Sequence, residues 1–344
     1  MIDKFVRKVN FGKYSSSSLG SNLLNFYNFK FSEAMAFGLG EGLFFRLYKY
    51  HEEWKVENCN LNLVYDLGEN LTFFINRFMA YSPAELFDRI KENLYVKKYP
   101  FLITFLVCKP KLDLAFGEYN VNADYSSDAE KLFQRIFVYA YDPEDESLVI
   151  NDGIKHYAKI PSQDFLNLFS YEDIDVKTIV WEIYIPPRRI VRTSFIISHL
   201  LYRTSNRMLY LQGDSNNFYG VQGIEKTFDF IKSSNIKSDT SRRLIKSIVY
   251  DETKDGYYRD IFADFLVEAQ NKLEAIDLHM LIKSYRRLAL LWKELFVHLE
   301  SDSVMEPGKT YVILMDEILK LEKYNLIKLE EIVCNNTSLK TIKC

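Results

Sequence analysis

Residues 15–45 read SSSSLGSNLLNFYNFKFSEAMAFGLGEGLFF, the most informative stretch of the chain. The four serines are typical of a helix N-cap, and apolar residues then recur at roughly helical spacing, which predicts a capped, buried helix near 16–28. Gly38, Gly40 and Gly42 follow at alternate positions. They predict a tight loop with close backbone approach or positive φ angles, in which backbone N–H groups can face a ligand.

Nucleotide binding is disfavoured at these glycines. They lack the Lys-Ser/Thr ending of a phosphate-binding loop, and they lack the spacing and the preceding strand of a dinucleotide fingerprint. A structural turn is the preferred interpretation, and Gly38 and Gly40 are kept as candidate substrate-binding positions.

A family resemblance rests on the order Ser-x-x-x-Asn-Leu-Leu, Ser-Glu-Ala and Phe-Gly-Leu-Gly-x-Gly-Leu. This order resembles the N-terminal domain of the family named for butirosin biosynthesis protein H. The resemblance implies a papain-like fold and transfer of an acyl group from a carrier-protein thioester to an amine in natural-product pathways. Members usually begin this segment with His-Cys, the Cys being the nucleophile. Counted back from Asn22, these positions fall on Tyr14 and Ser15, so the thiol is absent.

A second block, residues 133–142 and 147–152, resembles the strand–turn–strand that carries His and Asp in that family. With Asp142 as the turn residue, the His position falls on Gln134 and the orienting acid on Asp152. One of the three triad positions is therefore retained. A slip of one residue in the alignment brings Phe133 or Arg135 to the His position, and neither is a histidine.

These substitutions change the chemistry of such a site. A thiolate is intrinsically nucleophilic, whereas the hydroxyl of Ser15 needs an adjacent base, and Gln134 cannot be that base. General-base assistance is worth roughly a hundred- to ten-thousand-fold in rate, so losing nucleophile and base together removes the covalent route. Of the histidines, His156 alone lies near this block. It could swing in from the loop after Asp152, although a solvated loop histidine is the preferred interpretation.

Glu33 is a further candidate beside the glycines. It could act as an acid or base near Ser15, and the resemblance makes Glu33 and Tyr14 candidate substrate-binding residues. Ordinary helix-start chemistry explains an acidic residue in this context equally well. Both interpretations of Glu33 stay open from the sequence.

Composition restricts the class of partner. A net charge of −3 and a pI near 6.1 give no electrostatic footprint for nucleic acid. The four cysteines show no C-x-x-C pair and no His at metal spacing, so neither zinc nor a disulfide framework is predicted. No cofactor is implied beyond a pantetheine arm delivered by an acyl carrier protein. The opening residues contain no apolar signal segment, which predicts a cytoplasmic protein without a membrane partner.

The element pattern predicts an α+β fold, papain-like in the N-terminal half and mainly helical after it. Helix near 82–95 and strand 101–108 are followed by a hairpin of 133–141 with 147–151 and by strand 179–185. Helical periodicity covers 223–231, 257–273 and 281–299, and residues 258–269 and 284–292 resemble the module that accompanies the butirosin-type domain. We predict a papain-like domain over 1–187, a helical module over 188–333 and a polar tail over 334–344.

Three functions from different classes follow. The first is an amide-forming acyltransferase that uses Ser15 or a direct aminolysis geometry, with an acyl carrier protein and an amine acceptor as partners. The second is a pseudoenzyme that binds a carrier protein, a product or an active homologue. The third is an interaction protein whose cleft is irrelevant.

Overall fold

The structure, a computed structural model, describes residues 12–50, 53–60, 62–80, 82–97, 101–108, 131–151, 157–167, 178–184, 193–233, 243–245, 248, 256–273, 276–300 and 309–335. Its helices are α1 Ser15–Phe26, α2 Glu33–Leu39, α3 Leu63–Asn70, α4 Pro83–Lys91, α5 Ser162–Asn167, α6 Thr193–Tyr210, α7 Gly220–Ser233, α8 Arg259–Gln270, α9 His279–Glu300 and α10 Lys309–Asn335. Its strands are β1 Leu43–Tyr50, β2 Glu53–Cys59, β3 Phe74–Ala80, β4 Phe101–Cys108, β5 Lys131–Asp142, β6 Ser147–Asn151, β7 Tyr157–Pro161, β8 Thr178–Tyr184 and β9 Asn217–Tyr219. A π-helical turn, Glu92–Lys97, continues α4.

The chain forms two compact units, and each is built from two separate stretches of sequence. The first unit comprises Met1–Ala36 and Val64–Arg189, and the second comprises Phe37–Leu63 and Ile190–Cys344. The junction at Arg189 is close to the boundary predicted at residue 187. The sequence interpretation, however, placed residues 37–63 in the first domain, whereas the structure groups them with the C-terminal stretch.

The first unit contains a six-stranded sheet in the order β3-β8-β4-β5-β6-β7. Every neighbouring pair is antiparallel. The strand predicted at 101–108 and the hairpin predicted at 133–141 and 147–151 are confirmed as β4, β5 and β6. The fold is thus mixed α and β, as predicted at that coarser level.

Helix α1 packs on one face of this sheet. Asn22 of α1 donates a hydrogen bond from Nδ2 to Oδ1 of Asn151 in β6, at 3.4 Å, and both side chains are buried. The ring of Phe26 lies 6.2 Å from the ring of Tyr139 in β5. These contacts attach the C-terminal half of α1 to the β5–β6 hairpin.

Helix α4 and the π-helical turn pack on the opposite face. Glu182 of β8 pairs with Phe101, which pairs in turn with Val138, so these three share one face. Arg89 and Asn93 both donate hydrogen bonds to the carboxylate of Glu182. Val138 follows Phe137 in β5, and Phe137 pairs with Asn151, the residue that contacts α1. Because successive residues of a strand point to opposite faces, the face of Val138 is the one turned away from α1.

The second unit contains a three-stranded sheet in the order β2-β1-β9 together with helices α6 to α10. Alternate residues Leu43, Phe45 and Leu47 of β1 are buried, as expected of a strand with one face on a core. The helices predicted at 223–231, 257–273 and 281–299 are confirmed as α7, α8 and α9. Helix α6 and the small sheet were not predicted. Within the described ranges, no helix is long and apolar enough to span a membrane.

Candidate functional site

The N-terminus of α1 is the place where the sequence predicts the reactive residue. Tyr14 is the N-cap residue, and its own side chain caps nothing. The carboxylate of Glu33 takes over this task, accepting hydrogen bonds from the backbone N–H of Lys13 at 2.8 Å, from the N–H of Tyr14 at 2.7 Å and from Oγ of Ser17 at 2.8 Å. A carboxylate is favourable here because helix N-termini carry unpaired N–H donors and a partial positive charge.

Gly12 allows this close approach. A Cβ at Gly12 would lie 2.5 Å from Oε2 of Glu33 and 2.6 Å from Cβ of Ser18, closer than side chains pack. Tyr14 is 2% exposed, so its backbone is held between the carboxylate and the core. Glu33 therefore makes helix-start contacts, and its action as an acid or base near Ser15 stays a prediction. The helix that Glu33 caps is α1, and Glu33 itself belongs to the first turn of α2.

Ser15 is the first residue of α1. Helical spacing puts position 15 on the same side of α1 as Asn22, seven residues later, and this is the side in contact with the hairpin. Asn22 contacts Asn151, which pairs with Phe137 of β5, and Phe26 contacts Tyr139, two residues further along β5. Helix α1 therefore runs in the same direction as β5.

The level of Ser15 along β5 follows from these contacts. Seven residues of helix rise about 10 Å, and three residues of strand also span about 10 Å. Extrapolated along α1, these rises predict position 15 near the level of position 134, three residues before Phe137.

The faces of β5 distinguish Gln134 from its neighbour. Gln134 pairs with Phe105 of β4 in an unbroken register that also pairs Val138 with Phe101. Residues alternate between the faces of a strand, so position 134 shares the face of Val138, turned away from α1. Position 135, an arginine, shares the α1 face with Phe137.

Asp152 and His156 lie outside the described residues. Their neighbour Asn151 ends β6 and is buried against Asn22. The described part of the first unit contains no histidine. The roles predicted for Ser15, Gln134 and Asp152 stay predictions.

Gly38 and Gly40 lie close to other groups of the protein. Gly38 lies inside helix α2, which corrects the prediction of a loop there. A Cβ at Gly38 would lie 2.2 Å from the ring of Phe265, and one at Gly40 would lie 2.6 Å from the carbonyl oxygen of Leu63. Close backbone approach was predicted and is confirmed, but protein groups fill the space next to Gly38 and Gly40.

The positive φ belongs to Glu41 and not to a glycine. Its φ is 51°, a region that a side chain makes unfavourable. The Glu41 carboxylate is 2% exposed and lies 2.9 Å from Nη2 of Arg203 and 3.6 Å from Nη1 of Arg207. Arg207 also donates to the carbonyl oxygens of Glu41 and Leu43. The ion pairs hold this turn against α6 and offset its backbone strain.

His199, one turn before Arg203 on α6, shares this environment. Burial lowers the pKa of His199 below its ordinary value, and the charge of Arg203 lowers it further, while Glu41 acts in the opposite direction. No sequence pattern pointed to this group, because Glu41 and α6 are far apart in the chain.

Metal chemistry finds no support in the part of the chain that the structure describes. No cluster of three or more His, Cys, Asp or Glu side chains is arranged there to hold an ion. Cys59 is buried and Cys334 is exposed, and both are free thiols. No protein-family model matches the chain, and no curated protein matches it.

Proposed function

We propose that the first unit is a papain-like domain of the butirosin biosynthesis protein H type that binds an acyl-pantetheine arm without forming an acyl-enzyme. The Glu33 carboxylate carries the proposal, because it binds the backbone N–H of Tyr14, next to Ser15 in the sequence, and Oγ of Ser17 in the same helical turn. A negative charge raises the pKa of a neighbouring hydroxyl or thiol, because deprotonation would bring a second negative charge to the same place. The same carboxylate offsets the positive helix end that otherwise favours a nucleophilic anion.

The scaffold supports binding at this end of α1. The contacts of Asn22 and Phe26 fix the C-terminal half of α1 against the hairpin, and we expect the helix to begin near the level of position 134 of β5. This is the arrangement expected of a papain-like cleft, in which a helix start faces the first strand of a hairpin. A ligand arm can occupy such a cleft without a nucleophile, since binding needs only complementary surfaces.

Intact-mass spectrometry and titration calorimetry test the proposal together. The full chain is incubated with acetyl-, octanoyl- and aminoacyl-pantetheine, and with the same groups on an acyl carrier protein. We expect heat of binding without a mass shift, both in the wild type and in Ser15→Ala. An acyl adduct that Ser15→Ala abolishes would contradict the proposal, and so would the absence of binding to every probe.

A restored nucleophile tests the geometry of the site. The register places position 135 on the α1 face, so Ser15→Cys with Arg135→His should bring a thiol and an imidazole together. A Cys–His pair lowers the thiol pKa, and we expect iodoacetamide at pH 6 to alkylate the introduced thiol about tenfold or more faster than in Ser15→Cys alone. Peptide mass spectrometry separates the introduced thiol from the natural cysteines.

The matched control is Ser15→Cys with Gln134→His. Position 134 lies on the opposite face of β5, so this pair should react like Ser15→Cys alone. A faster reaction of the Gln134→His pair than of the Arg135→His pair would show that the strand faces are assigned wrongly.

Amide formation by direct aminolysis is a second candidate, favoured by the same alignment of α1 with β5. Aligning an amine against a thioester accelerates the reaction through positioning alone and needs no nucleophile. This candidate predicts an amide product from acyl-pantetheine and an amine that persists in Ser15→Ala.

A further inference from the structure

A fully buried ion pair lies in the helical core of the second unit. Nε of Arg259, the first residue of α8, is 2.7 Å from Oε1 of Glu322 in α10, and both side chains are 0% exposed. Trp292 of α9 donates to the same carboxylate oxygen at 3.0 Å. Nη1 of Arg259 donates to the carbonyl oxygen of Tyr257, just before α8. Side chains from α8, α9 and α10 therefore meet at this ion pair.

Four polar atoms on these helices are buried without a hydrogen-bond partner in the part of the chain that the structure describes. They are Nη2 of Arg259, Oε2 of Glu322, the hydroxyl oxygen of Tyr285 and Nδ2 of Asn325, and we call them the four unpaired atoms. A buried polar atom without a partner carries the full cost of its desolvation, and native proteins pair nearly all such atoms with protein groups or with ordered water.

The contacts of Tyr285 place its hydroxyl near the ion pair. Nη2 and Oε2 are each two covalent bonds from the contact between Nε of Arg259 and Oε1 of Glu322. The ring of Tyr285 packs edge-on against Phe262, one turn after Arg259 on α8, with the ring centres 4.8 Å apart. Burial raises the pKa of Tyr285 well above its usual value, and the charge of Glu322 raises it further, whereas Arg259 lowers it. The hydroxyl therefore keeps its proton and can both donate and accept.

Asn325 belongs to the same cluster. It lies one turn after Glu322 on α10, and its Oδ1 accepts a hydrogen bond at 2.5 Å from Ser284, the residue before Tyr285 on α9. Its other side-chain atom, Nδ2, is one of the four unpaired atoms. The contacts to Ser284 and along α10 thus bring Asn325 next to the residues that carry the other three.

We propose that buried water, about one or two molecules, bridges the four unpaired atoms. Their chemistry selects this ligand, because Oε2 of Glu322 needs a donor whereas the N–H groups of Arg259 and Asn325 need an acceptor. A chloride ion cannot donate to the carboxylate, and a metal cation cannot accept from the N–H groups. Water does both, and it is small enough for a site whose four side chains are all 0% exposed.

The bridge would give α8, α9 and α10 a directional link that apolar packing does not supply. A buried polar network in which every member is paired makes a core more rigid and specifies a single packing arrangement. The bridge lowers the desolvation cost of the ion pair without removing it. Fixed water restores only part of the hydration that a guanidinium and a carboxylate have in solvent.

A high-resolution crystal structure of the full chain tests the site directly. We expect density for ordered water at hydrogen-bond distance, about 2.7–3.2 Å, from at least two of the four unpaired atoms. Direct pairing of these atoms with protein groups overturns the proposal, and so does a site without water density.

The sign of the effect of Tyr285→Phe is an independent test. Removing a buried hydroxyl that has no partner would leave stability unchanged or increase it. Removing a water-bonded hydroxyl loses a hydrogen bond, so we expect the unfolding equilibrium constant, measured by urea denaturation, to rise about threefold to tenfold. Tyr324→Phe, at a 54% exposed position on α10, is the matched control and should leave the constant unchanged. A Tyr285→Phe variant as stable as the wild type overturns the proposal.

Coupling to the ion pair shows what the Tyr285 hydroxyl binds. In the double variant Arg259→Met with Glu322→Met, the bridging water loses two of its partners. Tyr285→Phe in that background should therefore change the unfolding equilibrium constant by less than about twofold. An effect as large as in the wild-type background would place the partner of the hydroxyl elsewhere and overturn the bridge.

Discussion

Arg259 and Glu322 form an ion pair in which both side chains are fully buried, at 2.7 Å. Trp292 donates to the same carboxylate oxygen at 3.0 Å, and Arg259 also donates to the carbonyl oxygen of Tyr257. Within the described residues, Nη2 of Arg259 and Oε2 of Glu322 have no hydrogen-bond partner. The attraction between the charges is therefore only partly supported by further hydrogen bonds, and the desolvation cost of burying both is correspondingly large.

Single substitutions in this pair should cost more than the double substitution. Arg259→Met leaves a buried, uncompensated carboxylate and Glu322→Met leaves a buried guanidinium, so each should lower the free energy of unfolding by about 3–5 kcal/mol. Arg259→Met with Glu322→Met removes both charges and should recover most of that loss. Urea denaturation measures the three variants, with Lys323→Met in the exposed pair with Glu225 as a control expected to cost under about 1 kcal/mol. A double variant as unstable as the sum of the singles would contradict this account.

His199 provides a test of charge at the glycine turn. Because its folded-state pKa is lowered, the unfolded chain binds the proton more readily, and stability falls as pH drops from the unfolded pKa through the folded one. Arg203→Met removes a lowering charge and should raise the His199 pKa, whereas Glu41→Gln removes the raising charge and should lower it further. NMR titration of the imidazole signals measures both.

The control for this pair of variants is Asp264→Asn, since Asp264 is paired with Arg286 and is not among the charges that act on His199. It should leave the titration unchanged. A His199 pKa that moves in neither Arg203→Met nor Glu41→Gln would show that burial alone controls it.

The sequence identified individual residues of interest more readily than the residues that they contact in the folded chain. Glu33 was singled out next to the glycines, with helix-start chemistry as one of its two interpretations. Its target could not be predicted, because the N–H donors belong to Lys13 and Tyr14, about twenty residues earlier, and only the folded chain brings them together. Arg259 and Trp292 lie in stretches singled out from the sequence, yet their common partner Glu322 lies on α10.

Helix α1 depends on a cap supplied by another element. Glu33→Ala removes three hydrogen bonds at its N-terminus, and we expect a loss of about 2 kcal/mol in unfolding free energy with faster hydrogen exchange in the first turns of α1. Ser82→Ala is the matched control, because Ser82 caps α4 through one hydrogen bond, from the N–H of Glu85 at 3.1 Å. That change should cost about 1 kcal/mol. An effect of Glu33→Ala no larger than that of Ser82→Ala would show that the remote cap is dispensable.

The elements that the sequence predicted share a strong local signal. Strand β4 is a continuous apolar run and the β5–β6 hairpin has an acidic Asp-Pro turn, so period and turn chemistry were enough. Helix α6 was not predicted, because the preceding Pro-Pro-Arg-Arg stretch was interpreted as a domain boundary. The helix itself also mixes polar and apolar residues on both sides, which weakens its periodicity. Strand β1 was not predicted, because its first residues, Leu43 to Phe45, continue directly from the glycine motif. In addition, β1 forms a strand through its pairing with β2 and β9, which the local sequence does not reveal.

At the scale of the whole molecule, the sequence placed the junction between domains near residue 187 from the prolines that follow β8. It could not predict that residues 37–63 belong with the C-terminal stretch, because the glycine motif reads continuously with α1. The assignment is physical: Gly38 packs against Phe265 of α8, and Phe45 of β1 packs against Tyr257. A segment from the first part of the chain thus supplies two of the three strands of the second unit.

This division predicts how fragments of the chain behave. Residues 190–344 alone retain β9 but lose both of the other strands, and with them the buried side chains of Leu43, Phe45 and Leu47. An isolated three-residue strand has no stability of its own, and the uncovered core side chains of α7 and α8 would face water. We therefore expect residues 190–344 to unfold without a cooperative transition, whereas residues 37–63 joined to 190–344 by a Gly/Ser linker should unfold cooperatively.

Thermal unfolding followed by circular dichroism and by NMR amide dispersion distinguishes the two fragments. The matched control keeps the linker and residues 37–63 but carries Phe45→Asp, which places a charge where β1 meets Tyr257 and should abolish the gain. If residues 190–344 alone unfolded as cooperatively as the fusion, the helices would form an independent module and the strands from 37–63 would be an accessory. Since β1 lies at the centre of its sheet and its inward side chains are among the most buried of the unit, the fusion should be the smallest stable form.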